Sequence, residues 1–305
     1  MIYPKKLEKG GTIGILCPSS SVSAEREIQC VKALEAMGYK VKKADNITAN
    51  LGGYMAGPGE VRGQWINRMF ADDEIDAIIC VRGGDGSGRT INYVDTDIVK
   101  KHPKIFMGYS DITYLHLLFN QECDLVTFHG PMVSSNIVDA FDEDTAKAMF
   151  AAINGDDVYE FINPDGMPIE VMHEGKATAP VVGGNLSLLS AAMGTPYEMD
   201  TKGKIVFIEE VEEPITKIEK WICQLRNAGK FDECAGIILG QFTTIVSKEL
   251  AYTEIECCKD LFEGLDIPIM YNVQSGHGEK MITIPFGAMC TMDTASKTLK
   301  FEINR

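Results

Sequence analysis

Three side chains suited to nucleophilic acyl transfer stand in the chain order Ser110, Glu209, His277. A hydroxyl becomes a useful nucleophile when an imidazole takes its proton and a carboxylate fixes the imidazole tautomer. The order serine, acid, histidine recurs in hydrolases whose serine lies on an α/β sheet. Ser110 falls in Gly108-Tyr109-Ser110-Asp111, between a strand-like run (Lys104 to Gly108) and a helical pattern. A tight strand-to-helix turn holds a serine hydroxyl forward, with the next backbone N–H aimed at the same space. The match to G-x-S-x-G is partial, because Ile112 stands where the second glycine would be. Taken alone, the serine reads more simply as a helix N-cap.

Glu209 and Glu210 end the apolar strand Ile205-Val206-Phe207-Ile208. Alternation along a strand sends them to opposite faces, so one of the two faces any given cleft. His277 lies in Gln274-Ser275-Gly276-His277-Gly278, where flanking glycines keep an imidazole accessible to act as a general base. Arg82-Gly83-Gly84-Asp85-Gly86-Ser87-Gly88-Arg89 follows a strand, and its glycines let backbone amides approach a ligand as an oxyanion hole or an anion cradle. It matches neither a Walker motif nor G-x-G-x-x-G. His129, in Phe128-His129-Gly130-Pro131, closes a strand and is a candidate to line the site. No H-x-x-x-H spacing or close His/Cys/Asp group points to a metal, and no cofactor is expected.

These residues need a scaffold that gathers them. Buried strands are expected at Thr12 to Leu16, Asp76 to Val81, Lys104 to Gly108 and Leu125 to Phe128. Helices between them carry Ile28, Val31 and Leu34; Val61, Trp65 and Met69; and Ile112, Leu115 and Phe119. Strand-helix alternation with continuous apolar strands predicts an α/β, doubly wound parallel sheet over residues 1–154. Turn-rich residues 155–175 read as a linker. Residues 176–305 read as a mixed α/β domain with strands at Lys204 to Ile208, Ala235 to Leu239 and Pro268 to Val273. Its helix after Pro214 carries Ile215, Ile218, Ile222 and Leu225, and β-hairpins are expected over Met281 to Pro285, Ala288 to Met292 and Thr298 to Ile303. Triad candidates from both halves place a cleft between them.

The net charge of −15, with lysines scattered apart from Lys40, Lys42, Lys43, Lys100 and Lys101, argues against nucleic acid and anionic membrane as partners. Nine cysteines at irregular spacing read as reduced and buried rather than as a disulfide framework. The N-terminus lacks a signal-peptide stretch, and no window approaches the roughly 18 apolar residues of a membrane span, so a cytoplasmic location is expected.

In their order, Arg82-Gly83-Gly84, Gly108-Tyr109-Ser110-Asp111, Thr127-Phe128-His129-Gly130-Pro131, Gly183-Gly184-Asn185-Leu186, Phe207-Ile208-Glu209-Glu210 and Gly276-His277-Gly278 resemble the LD-carboxypeptidases over nearly the whole chain. These serine peptidases are also called murein tetrapeptide carboxypeptidases. The resemblance implies Ser110 as nucleophile, Glu209 as triad carboxylate and His277 as base, with the oxyanion held by the Gly84 and Asp111 amides. It implies a Rossmann-like N-terminal domain, a swivelling-type C-terminal domain and a homodimer. The implied reaction is release of terminal D-Ala from a murein tetrapeptide during cell-wall recycling, by cleavage at the L-centre of a diamino acid. Arg82 and Arg89 are candidates to bind the substrate carboxylate. Asp85 stands where the family commonly has an aromatic residue after R-G-G, which alters the pocket rim. Rival readings are a microcin-immunity-type peptidase opening acyl-adenylate amides, a catalytically silent anion- or peptide-binding protein, and a general esterase. The immunity-type reading is disfavoured by chain length and by the presence of only two tryptophans, Trp65 and Trp221.

Overall fold

The structure, a computed structural model, describes residues 1–139, 141–155, 157–244 and 252–303. Its first half alternates strands β1 (Thr12–Leu16), β2 (Lys40–Lys43), β3 (Ala77–Cys80), β4 (Ile105–Gly108) and β5 (Thr127–His129) with helices. These are α1 (Ala24–Ala36), α2 (Gly59–Ala71), α3 (Ser87–Thr90), α4 (Thr96–Lys101), α5 (Thr113–Cys123) and α6 (Glu143–Asn154). The five strands pair in parallel, in the order β2-β1-β3-β4-β5. This is the doubly wound α/β sheet expected from the sequence. Its order reverses between β1 and β3, and in such sheets ligand crevices open beyond the carboxyl ends of the strands at that point. Every residue of β3 and β4 is buried, which is why these strands read as unbroken apolar runs.

Helix starts and stops follow local chemistry. The Ser23 hydroxyl caps α1 by accepting from the Arg26 amide at 3.2 Å, and Gly38 just beyond its end takes φ +90°. Buried residues of α1 are Cys30 and Leu34, while the expected core residue Ile28 is 54% exposed. On α2 the buried stripe runs through Arg62, Ile66, Met69 and Phe70, so that of the expected face Met69 is buried while Val61 and Trp65 are half-buried. The α5 face does carry Leu115 and Phe119 into the core, both fully buried.

The second half contributes β6 (Val158–Phe161), β7 (Glu170–His173), β8 (Lys176–Asn185), β9 (Ile205–Glu213), β10 (Gly236–Thr244), β11 (Ile269–Tyr271), β12 (Ile284–Phe286), β13 (Met289–Asp293) and β14 (Thr298–Glu302). Its helices are α7 (Leu186–Ala191), α8 (Ile215–Asn227) and α9 (Glu254–Phe262). Eight of these strands form a mixed sheet, β6-β14-β13-β8-β9-β10-β11-β7, with β8 to β11 parallel. Helix α8 turns Ile215, Ile218, Ile222 and Leu225 inward, as expected.

Two expectations change. The stretch 155–175 is not a plain linker, because β6 and β7 within it are the two edge strands of the eight-stranded sheet. The tail forms one hairpin, β13 with β14, while β12 leaves it and pairs antiparallel with β5, Ile284 opposite His129. Both strands have long-range partners, and strand pairing at that distance leaves no local signature. The larger core crosses both sheets, joining Phe128 and Met107 to Phe207 and Phe286; a smaller one lies under α7, α8 and α9.

Candidate active site

Ser110 sits at the carboxyl end of β4 on a turn of 3₁₀ helix, Ser110–Ile112, with φ +65°. A non-glycine residue in that region costs on the order of 1–3 kcal/mol, so the surrounding packing must hold it there. Gly83 supplies part of that packing: a Cβ on it would stand 2.9 Å from the Ser110 Cβ and 3.2 Å from its hydroxyl. The Thr113 hydroxyl donates to the Ser110 carbonyl at 2.7 Å and accepts the Asn185 amide at 3.1 Å. Gly184, at φ +143°, lets β8 come this close, since a Cβ there would overlap Thr113. The motif Gly183-Gly184-Asn185 is therefore a docking edge between the second domain and the serine turn.

Glu209, at the middle of β9, which runs on to Glu213 rather than ending at the acidic pair, meets His277 of the 274–280 loop. Glu209 is fully buried, and its Oε2 accepts from His277 Nδ1 at 2.6 Å. Burial pulls the His277 pKa down, but the Glu209 charge and hydrogen bond, helped by Glu210 and Glu212, outweigh it and leave the value raised. With Nδ1 committed to Glu209, Nε2 is the ring nitrogen left for chemistry. The imidazole packs edge-on against Tyr109, centroids 4.8 Å apart, which sets it beside the residue preceding Ser110. Burial pushes the Tyr109 phenol up to about 12, so it stays neutral. Among the described residues, no hydrogen bond joins the Ser110 hydroxyl to the His277 ring; such bonds are often long in empty sites and close around substrate.

Glu210 turns the other way, as alternation requires. It accepts from the Asn185 side chain at 2.8 Å and the Ser187 amide at 2.7 Å, serving the start of α7. Burial raises its pKa. Gln241, which sequence reasoning missed, fixes the histidine loop: its side chain accepts the Gly278 amide at 2.7 Å and donates to Gln274 at 3.0 Å. Nothing in the local sequence around Gln241 marks this role, because its partners lie more than thirty residues away.

Beside Ser110 the 82–86 turn borders a cleft of about 530 Å³ lined by Ser20, Ser21, Tyr54, Arg82, Gly84 and Asp85, among others. It opens between the β1 and β3 loops, where the strand order reverses. Gly84 takes φ +99° and lies so close to Ser20 that a Cβ would collide with it. The Ser20 hydroxyl accepts the Asp85 amide at 3.1 Å. Arg82 and Asp85 are exposed on this rim. Arg89 is not among the residues lining this cleft; its guanidinium lies 3.9 Å from the Met55 sulfur.

His129 is a correction. It is fully buried among Tyr109, Phe207 and Phe286 and cannot touch a substrate in this structure. Burial, then His116 and His277, drives its pKa well below the ordinary imidazole value. A cleft of about 760 Å³ around Lys5, Asp76, Lys101 and Lys104 lies at the opposite, amino end of the strands from the serine. Among the described residues, no group of three His, Cys, Asp or Glu is placed to hold a metal, and no helix is long and apolar enough to cross a membrane.

The profile of the LD-carboxypeptidase N-terminal domain matches residues 13–130, and that of the C-terminal domain matches residues 178–292. The chain belongs to the LD-carboxypeptidase family. A probable murein peptide carboxypeptidase of Bacillus subtilis is 36% identical over 98% of this chain and 94% of its own length. The microcin C7 self-immunity protein MccF of Escherichia coli is 26% identical, covering 96% of this chain and 93% of its own. A solved structure of MccF, an inactive mutant without ligand, superposes with a TM-score of 0.90 at 24% identity, over 99% of this chain and 98% of that one. The 327 aligned positions exceed the 305 residues of this chain, so MccF carries insertions relative to it, in line with the greater length expected of the immunity-type proteins. Membership makes this protein a serine-peptidase-like hydrolase of the carboxypeptidase and MccF kind.

Proposed function

We propose that the protein hydrolyses an amide bond through an acyl-enzyme, with Ser110 as nucleophile, His277 as general base and acid, and Glu209 as the carboxylate that orients it. The observation that carries this reading is the 2.6 Å Glu209–His277 bond, with His277 packed on Tyr109 next to the strained Ser110. Ser110 Oγ attacks the carbonyl carbon while its proton passes to His277 Nε2. The oxyanion is held by the Gly84 and Asp111 amides. The C–N bond breaks as His277 returns the proton to the leaving nitrogen, and water then releases the acid by the same route.

Two substrates fit this chemistry. The B. subtilis relative supports a murein tetrapeptide losing its terminal D-Ala, with Arg82 facing the free carboxylate. The chain-long likeness to MccF supports the amide of an acyl-adenylate, and on overall shape this alternative has the stronger support. Asp85, on the cleft rim, favours a substrate that brings a positive group there, such as the free amine of a diamino acid or aminoacyl group. The reading includes a cytoplasmic location and a homodimer.

The test is mass spectrometry of L-Ala-γ-D-Glu-diaminopimelate-D-Ala and of an aminoacyl sulfamoyl adenosine, each incubated with the wild type and with Ser110→Ala. Release of D-Ala by the wild type alone establishes the carboxypeptidase; cleavage of the adenylate alone establishes the immunity-type enzyme. The variant should lose about 10⁶-fold in kcat. Equal turnover by both chains removes Ser110 as nucleophile, and inertness of both points to the silent binding protein.

A further inference from the structure

Arg62 has no role in the reaction as written, yet it is only 1% exposed. Burying a guanidinium is costly unless its donors are used, and burial here pulls its pKa down. Its Nη1 donates to the Pro18 carbonyl at 2.6 Å and the Gly86 carbonyl at 2.8 Å, and its Nε donates to the Gly57 carbonyl at 3.0 Å. One cation thus ties the loops after β1, before α2 and after β3. Gly86, at φ +118°, makes room for it, since a Cβ there would stand 2.9 Å from Nη1.

The peptide unit between Gly86 and Ser87 is held at both ends. Its carbonyl accepts from Arg62, and its N–H donates to Asp111 Oδ2 at 2.8 Å. In a trans peptide the C=O and N–H point in opposite directions, so this dipole lies with its oxygen on a cation and its hydrogen on a carboxylate. The Ser87 hydroxyl adds a bond to the Asp111 carbonyl. Asp111 is 4% exposed and follows Ser110 directly. Its side chain therefore grips the turn carrying Gly84, while its own backbone N–H stands on the serine turn.

We propose that Arg62 and Asp111 are positioning residues that lock the 82–86 turn against the 110–112 turn, holding the Gly84 and Asp111 amides convergent on the oxyanion. The inference rests on the acyl-enzyme reading above. Ser20 fixes the other end of the same turn, donating its amide to the Gly83 carbonyl at 3.1 Å. Without the lock, the turn pivots on its glycines, and donors misplaced by about 1 Å lose transition-state stabilisation while ground-state binding in the neighbouring cleft persists.

The experiment compares full-length Arg62→Met, Asp111→Ala and Asp111→Asn, each shown folded by circular dichroism. It uses whichever substrate the wild type turns over, together with the rate at which a fluorophosphonate labels Ser110. Arg62→Met and Asp111→Ala should lose about 10²–10³-fold in kcat and in labelling rate, with KM within about threefold. Asp111→Asn, whose amide oxygen still accepts the Ser87 N–H, should recover to within about tenfold of the wild type. Folded Arg62→Met with unchanged kcat and labelling rate overturns the proposal, as does a loss carried by KM alone or Asp111→Asn as impaired as Asp111→Ala. A wild type that is turned over and labelled separates these outcomes from failure of the catalytic reading; a wild type inert to every probe removes that reading and this inference with it.

Discussion

The two halves of the site are held by different physics. The serine half is held by shape: a positive φ at Ser110, Gly83 against its side chain, and Gly184 against Thr113. The acid–base half is held by charge, a buried carboxylate on an imidazole at 2.6 Å. Shape fails abruptly when one methyl group is added, because close-packed backbone has nowhere to move. Charge fails by titration, so the same site should be steric in its response to mutation on one side and pH-dependent on the other.

The largest effect in this comparison belongs to Glu209→Gln. It keeps the size of the side chain but removes the charge and disturbs the tautomer, and kcat should fall by about 10⁴-fold. Near-normal turnover by this variant would break the assignment of the acid. Gly83→Ala comes next: a Cβ 2.9 Å from that of Ser110 should displace the hydroxyl and cost about 10²-fold in kcat. The His277 NMR titration should be unchanged in Gly83→Ala; a shifted titration would mean that the halves are not separable.

The pH dependence is smaller. Base catalysis needs neutral His277, whose pKa is raised, so kcat/KM should climb about tenfold per pH unit up to a value above the ordinary ~6.5 and then level off. In stability the sign is opposite: the raised value favours the folded state fully below about pH 6.5, and that contribution is lost as pH rises through the folded pKa. A titration midpoint at or below ~6.5 would show that burial, not Glu209, dominates the ring. The smallest effect should come from Thr113→Val, which removes the bridge from the Ser110 carbonyl to the Asn185 amide. Thermal unfolding should show a loss of about 1–2 kcal/mol, or a few degrees in Tm.

Much of this was legible in the residues. Continuous apolar strands gave the parallel sheet, Ser110 was marked by its place between a strand and a helix, and His277 by its flanking glycines. The stripe on α2 was read through Val61 and Trp65 instead of Arg62 and Ile66, because an arginine in an apolar face looks like a break in the pattern rather than part of it. His129 looked like a lining residue because it ends a strand; β12, arriving from more than 150 residues away, covers it.

The sequence by itself determined the local elements and the residue types available for chemistry, since periodicity, caps and glycines act over a few neighbours. Tertiary structure alone decided that β12 covers His129, that β6 and β7 close the second sheet, and that Arg62 reaches three loops at once. Those outcomes depend on contacts between distant segments, which only the folded chain brings within hydrogen-bonding range.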